Sequence, residues 1–171
     1  MFKKGEFVVY EAKGLCEITD ITELDLGGAI KGRKYYVLKP VYDEGGTIYS
    51  AVDNAKVTIR RMITKQEAEE ILSEIPEIKS LKIPDEKQRE NKYKEAMHSC
   101  DCRQWISMIK TLYVRRENRL MNGKKTTNTD DRYYKKAGDS LHGELAMAMG
   151  MDKSEMENII LGQINSELLQ V

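Results

Sequence analysis

The sequence predicts an α+β protein: a small β-barrel at the N-terminal end and an all-α helical domain behind it. Three observations lead there. Residues 1–63 hold short apolar, β-branched and aromatic runs set apart by glycines, with no competing helical period. From Thr64 onward the apolar residues recur at steps of three and four. Charge is also segregated along the chain. The 171 residues carry 28 Lys/Arg and 28 Asp/Glu, yet residues 86–136 hold 14 basic against 7 acidic residues, a surplus of +7.

The strands come first. Phe7 to Tyr10 is an apolar run behind Gly5, and Leu15 to Ile21 alternates for most of its length. Lys34 to Leu38 is β-branched and aromatic and is ended by Pro40. Thr47 to Val52 follows the turn signal Gly45-Gly46, and Val57 to Arg61 makes a last short strand. Glycines at 14, 27–28, 32 and 45–46 punctuate these runs at the spacing of a small barrel. About 60 residues enclose only a small core.

At Thr64 the regime changes. Thr64-Lys65-Gln66-Glu67 reads as a capping box, in which the Thr hydroxyl accepts from the Glu67 amide and the Glu side chain reaches back. Ala68, Ile71 and Leu72 continue as a helical stripe. Pro76 and Pro84 bracket a linker whose Ile78, Leu81 and Ile83 are too apolar for a free tether. Three domains of the chain are thus expected: a barrel at 1–63, a capped helix and linker at 64–84, and a basic helical domain at 85–171.

Within the last, helices are expected at about 85–98, 102–121 and 130–149, with a fourth beginning behind the cap Asp152. The second puts Trp105, Ile106, Ile109, Leu112 and Tyr113 on one face; the third turns Tyr133, Tyr134, Ala137, Leu141, Leu145 and Ala148 inward. Ile159, Ile160 and Ile164 carry the fourth. Gly123 and Gly150 stop two of them.

Little in this pattern supports catalysis. Neither histidine lies beside a plausible nucleophile, and the glycines form no phosphate-binding loop or dinucleotide fingerprint. Cys16, Cys100 and Cys102 are an odd number and suggest no disulfide framework. His98-Ser99-Cys100-Asp101-Cys102 has metal-ligand residue types at a spacing unlike a zinc knuckle, so an interhelical turn of small residues is the plainer reading. No apolar run spans a bilayer and no signal-peptide pattern opens the chain, so a cytoplasmic location is expected. Trp105 sits at an apolar position of its helix, which favours core packing over base stacking.

The basic residues carry more information. Arg89, Lys92 and Lys94 lie in one helix; Arg115, Arg116 and Arg119 end the next; Lys124 and Lys125 occupy the loop beyond; Arg132, Lys135 and Lys136 begin the third. All fall at or near helix joints, where one positive surface for phosphates could form. Separate solvated faces remain the plainer alternative.

Several motifs fall in a recognisable order. Phe2-Lys3-Lys4-Gly5-Glu6-Phe7-Val8-Val9-Tyr10, then Gly14 and Ile18, resembles the start of the CarD family of bacterial transcription regulators. Ile30-Lys31-Gly32 with Tyr35-Tyr36-Val37-Leu38-Lys39 is similar to the family's next strand pair, and Asp53-Asn54-Ala55 with Ile59-Arg60 to its closing segment. Tyr93-Lys94, Ser99-Cys100-Asp101, Leu112 with Arg115-Arg116, and Ala137 to Gly143-Glu144-Leu145-Ala146 follow in family order. The resemblance covers about residues 2–150.

It implies a Tudor/SH3-like barrel, related to the polymerase-interacting module of the transcription-repair coupling factor, that binds the RNA polymerase β subunit partly by adding a strand. Thr47–Val52 is the candidate edge, with Lys31, Arg33, Thr47, Ile48, Tyr49, Ser50 and Ala51 as the polymerase-binding residues. It further implies promoter DNA near the upstream edge of the bubble as the partner of the helical domain. Arg89, Lys92, Lys94, Arg115, Arg116, Arg119, Lys124, Lys125, Arg132 and Lys136 are the expected DNA-binding residues. No reaction, cofactor, metal, membrane or small-molecule substrate is implied, only modulation of open-complex stability.

Two departures stand out. The aromatic wedge that many members carry early in the first basic helix has no match in 86–92, and Tyr49 and Ala51 stand where an Arg and a Pro are usual. Two other readings fit the residues: a protein-only adaptor whose basic face meets an acidic partner, and a metal or redox sensor using Cys100 and Cys102.

Overall fold

The computed structural model describes residues 1–168 apart from Ala12 and Leu26. The chain divides into two compact units, Met1–Met62 and Ile63–Val171.

The first unit is an antiparallel sheet of β1 (Phe7–Tyr10), β2 (Gly14–Glu23), β3 (Lys34–Pro40), β4 (Ile48–Ala51) and β5 (Ile59–Arg61), in the order β4-β3-β2-β1-β5. A tight turn joins β1 to β2: Lys13 N–H bonds the Tyr10 carbonyl at 3.0 Å, and Gly14 follows at φ +74°, a value that glycine reaches without a Cβ penalty. The register pairs Tyr10 with Gly14 and Val8 with Cys16, which puts Val8, Cys16 and Ile18 on one face. Tyr36 and Leu38 of β3 join them, and Phe2, Tyr10, Ile21, Ile48, Val52 and Ile59 close over this core. The Tyr36 hydroxyl accepts from the Phe2 amide at 3.1 Å, tying the N-terminal segment to the sheet. The β2–β3 register shifts between Ile18 and Asp20, and the Thr19 hydroxyl donates to the Val37 carbonyl there.

A closed barrel was the expectation; an open sheet is what the structure shows. No ladder joins β4 to β5 among the described residues. Closure would need an exchange of backbone bonds between strands of four and three residues at opposite margins.

The second unit is helical: α1 (Lys65–Glu74), α2 (Arg89–His98), α3 (Cys102–Met121), α4 (Asn128–Met149) and α5 (Lys153–Leu168), with 3-10 turns at Ile75–Glu77 and Glu86–Gln88. The Thr64–Glu67 capping box is formed in both directions, at 3.2 and 2.7 Å. Trp105, Ile106, Ile109 and Leu112 are all buried on α3, together with Met108. Each such apolar side chain stabilises the fold by roughly 2 kcal/mol. Leu141 and Leu145 of α4 and Met156, Ile160 and Ile164 of α5 complete the core. Ile159 departs from the expected stripe: it is exposed, because the inward line of α5 runs through Met156 one turn earlier.

Helix ends follow their local chemistry. Cys100 is left-handed (φ +50°) in the break between α2 and α3, and the Asp101 carboxylate then accepts from the Arg103 amide at 2.8 Å. Helix α4 starts at Asn128 rather than Asp130, because Thr127 is its cap and accepts from the Asp130 amide at 3.1 Å. Gly150, at φ +66°, ends it.

The segment between α1 and α2 is bound to α3. Buried Lys110 donates from Nζ to the carbonyls of Ile75 and Ile78 at 2.5 and 2.6 Å, and pairs with Glu167 of α5. Ser107 donates to the Lys79 carbonyl, and the Leu81 amide donates to the Thr111 hydroxyl at 2.8 Å. Glu144, fully buried on α4, anchors the entry to the unit: Oε1 accepts from the Ile63 amide at 3.0 Å and Oε2 from the Cys102 thiol at 3.3 Å.

Candidate protein and nucleic-acid interfaces

In the first unit, β4 is a margin of the sheet. The Val52 amide bonds the Lys34 carbonyl at 3.0 Å, and the register continues as Ala51–Tyr35, Ser50–Tyr36, Tyr49–Val37 and Ile48–Leu38. Antiparallel ladders alternate between pairs that exchange hydrogen bonds and pairs that do not. Val52, Ser50 and Ile48 therefore direct their backbone groups at β3, whereas Tyr49 and Ala51 direct theirs at the open margin. The Ala51 carbonyl is taken by the Asn54 amide at 3.0 Å, so the N–H and C=O of Tyr49 and the N–H of Ala51 are what the margin presents.

Side chains alternate too. Ser50 is buried, Ile48 packs on the core, and Thr47 and Tyr49 face solvent, Tyr49 with 51% of its surface exposed. Lys31 and Arg33 lie in the turn before β3. Arg33 Nε holds Asp53 at 2.8 Å and its guanidinium lies 5.9 Å from the Tyr35 ring centroid, which places it at the Ala51 end of β4. That hydrogen bond holds the Asp53 carboxyl below its usual range.

In the second unit the start of α2, the end of α3 and the start of α4 converge on one buried carboxylate. Asp130 is 6% exposed. Arg115 Nε lies 2.6 Å from it, Arg89 Nε 3.4 Å, and the Tyr93 hydroxyl donates to it at 3.3 Å. Glu86 adds ion pairs to Arg89 and Arg115 at 3.1 and 2.9 Å. Burial, with the Asp130 charge beside it, pushes the Tyr93 phenol well up. Burial works against the Arg115 charge, but its bonds to Asp130 and Glu86 leave its pKa raised. Arg89 and Arg115, expected as phosphate contacts, are thus committed to internal pairs.

The other expected cations sit further out. Lys92 pairs with Glu95 at 3.3 Å and Lys94 with Glu90 at 3.9 Å. Arg132 also pairs with Glu90, at 3.0 Å, while stacking 5.1 Å from the Tyr133 ring centroid. Arg119 Nε donates to the Lys125 carbonyl at 2.7 Å, which folds the α3–α4 loop back on its helix. Arg116, Lys124, Lys125 and Lys136 are exposed and enter no ion pair among the described residues. At the end of α3 Leu120 and Met121 stand 50% and 84% exposed.

Three features of this joint escaped sequence reasoning. Asp130 organises it; the signal was an acid in the first turn behind the Thr127 cap. Met121 falls off the Trp105–Leu112 stripe, which could have marked it as exposed, whereas Leu120 continues that stripe and is exposed only because it lies at the end of the helix, just before Asn122-Gly123. Glu86 was given no role by the sequence, because its partners Arg89 and Arg115 are three and 29 residues away.

The three cysteines are buried and form no disulfide among the described residues. Burial pushes the Cys16 thiol up to about 11, and Cys102 donates to Glu144. No group of three or more His, Cys, Asp or Glu is arranged to hold a metal among the described residues. No described helix is long and apolar enough to cross a membrane.

No curated protein matches the chain. Residues 2–63 match a family model, the CarD-like/TRCF RID domain, a span that takes in all five strands and stops before α1. By that match the first unit is similar to a CarD-like/TRCF RID domain, and the match supports a CarD-like, RNA-polymerase-interacting family and a transcription-related role.

Proposed function

We propose that the chain is a non-enzymatic transcription regulator that binds the RNA polymerase β subunit through its first unit and promoter DNA through its second. The observation that carries the reading is the open β4 margin, lying within the stretch that matches the RID domain. A polymerase strand laid along β4 meets the N–H and C=O of Tyr49 and the N–H of Ala51, with the Tyr49 ring and the Arg33 guanidinium alongside. Main-chain pairing tolerates the change of an Arg to Tyr49 that separates this strand from the family pattern.

The helical unit supplies the DNA contact. Arg116, Lys124, Lys125 and Lys136 reach phosphates directly. Lys92, Lys94, Arg119 and Arg132 flank them, while Arg89 and Arg115 hold the three helix ends in place. A handful of phosphate contacts makes binding weak and salt-sensitive on its own, and tethering by the first unit raises the local DNA concentration. The consequence is a change in open-complex stability at the upstream edge of the bubble.

The test is the lifetime of the polymerase–promoter open complex with and without the protein. A changed lifetime that Tyr49→Pro abolishes supports the reading; an unchanged lifetime with polymerase bound limits the protein to adaptor work.

A further inference from the structure

Beside the basic joint, the segment leading into the Glu86–Gln88 turn and the second half of α3 border an open trough of about 410 Å³. Its floor is aliphatic, from half-buried Leu81, Ile83 and Val114. Asn118 supplies an amide on one wall, whose side chain is held by no hydrogen bond among the described residues, and Arg119 and Lys124 stand at the loop end. The one carboxylate on the lining, that of Glu86, is already paired with Arg89 and Arg115.

We propose that this trough receives one unpaired nucleotide of a DNA strand, its base on the aliphatic floor and its phosphate on Arg119 and Lys124; the proposal rests on the DNA-binding reading above. Charge selects the occupant, because the only acid is neutralised within the protein and the loop end is left cationic. Shape selects a nucleotide within a strand over a free one. Sites for small molecules bury most of their ligand, about 70–90% of its surface, whereas this trough is open along its length. Continuity argues the same way: Lys125 directly follows Lys124, so the next phosphate of the strand meets a cation too. An amide with both a donor and an acceptor serves any base edge, so little sequence preference follows. An unpaired base enters without the cost of unstacking a duplex.

The experiment compares the full-length chain on a promoter-length duplex and on the same duplex with three mismatched pairs, by fluorescence anisotropy in low salt. The intact protein should bind the bubbled DNA about fivefold more tightly, on the scale of one lodged base. Val114→Trp, which fills the trough, should erase that preference and leave duplex affinity unchanged. Asn118→Ala, a surface change that spares folding, should reduce the preference with the same duplex control. Equal affinity of the intact protein for both DNAs overturns the proposal while leaving duplex contact standing. Binding to neither overturns both readings together. Full displacement of the bubbled DNA by an equal concentration of dAMP, or by a short acidic peptide, overturns the assignment of a strand as occupant.

Discussion

In the first unit the surface offered to a partner is main chain: Tyr49 and Ala51 point backbone groups past the last strand, and only the exposed Tyr49 ring adds much side-chain area. In the second unit the exposed cations stand on helices and on the α3–α4 loop, and the offer is side chain: Arg116, Lys124, Lys125 and Lys136, with exposed Leu120 and Met121 at the end of α3. The difference teaches where each unit is vulnerable. A margin of backbone groups is indifferent to most side-chain changes and acutely sensitive to loss of an N–H. A cluster of cations is insensitive to any single change and erodes with each charge removed.

The sharpest way to break the comparison is a proline pair on β4. Tyr49→Pro removes an N–H that faces the open margin, where proline is tolerated. Polymerase retention in a pull-down should fall at least about tenfold, the usual cost of one lost anchoring contact of about 1.4 kcal/mol, with circular dichroism unchanged. Ser50→Pro, one residue on, removes a ladder bond to β3 and leaves a buried carbonyl unpaired, which should destabilise the sheet by about 2 kcal/mol. Equal effects of the two on folding would show that β4 is not a margin.

Next in size is the pin beneath the cations. Asp130→Ala leaves Arg89 and Arg115 partly buried without their shared partner and should lower stability by about 3 kcal/mol in urea denaturation. DNA affinity should fall only to the extent that the joint opens. A neutral outcome would mean that Glu86 alone holds both guanidinium groups.

Smaller effects belong to the outer cations. Reversing Lys124, Lys125, Arg132 and Lys136 to Glu should shorten or lengthen open-complex lifetime toward that of polymerase alone. The slope of log K against log salt should flatten by about 3–4, close to one counterion per contact. An unchanged slope removes these residues from the interface.

The smallest effect is a pH dependence confined to the second unit. His142 is 6% exposed on α4, and burial lowers its pKa below 6.5, with Lys153 adding to that and Glu157 and Asp139 opposing it. The unfolded chain therefore binds this proton more readily than the folded one. Its contribution is complete above pH about 6.5 and is lost as pH falls from there toward the folded value. His142→Gln should flatten the fall in Tm between pH 7 and 5; an unaltered slope would place the acid sensitivity elsewhere.

Much of the fold was legible because its signals are local. The Thr64–Glu67 box, the stops at Gly123 and Gly150 and the alternation of the strands each act within a few residues, and the structure places the elements close to where those signals put them. Trp105 was legible as core because it shares a stripe with Ile109 and Leu112. The site was less legible. Arg89 and Arg116 look alike in sequence, but one is paired with Asp130, 41 residues away, and the other stands in solvent. Ile159 and Ile160 are adjacent and chemically identical, yet a rotation of about 100° separates a core position from an exposed one.

What the sequence determined by itself was the order of strands and helices, the segregation of charge, and the change of regime at Thr64, since propensity, capping and periodicity need no distant partner. Only the tertiary structure decided that the outward amides of the β4 margin are those of Tyr49 and Ala51, and that Arg89 and Arg115 are consumed by Asp130 and Glu86. Both depend on pairings between residues far apart in the chain, whose energies exist only once the elements have met.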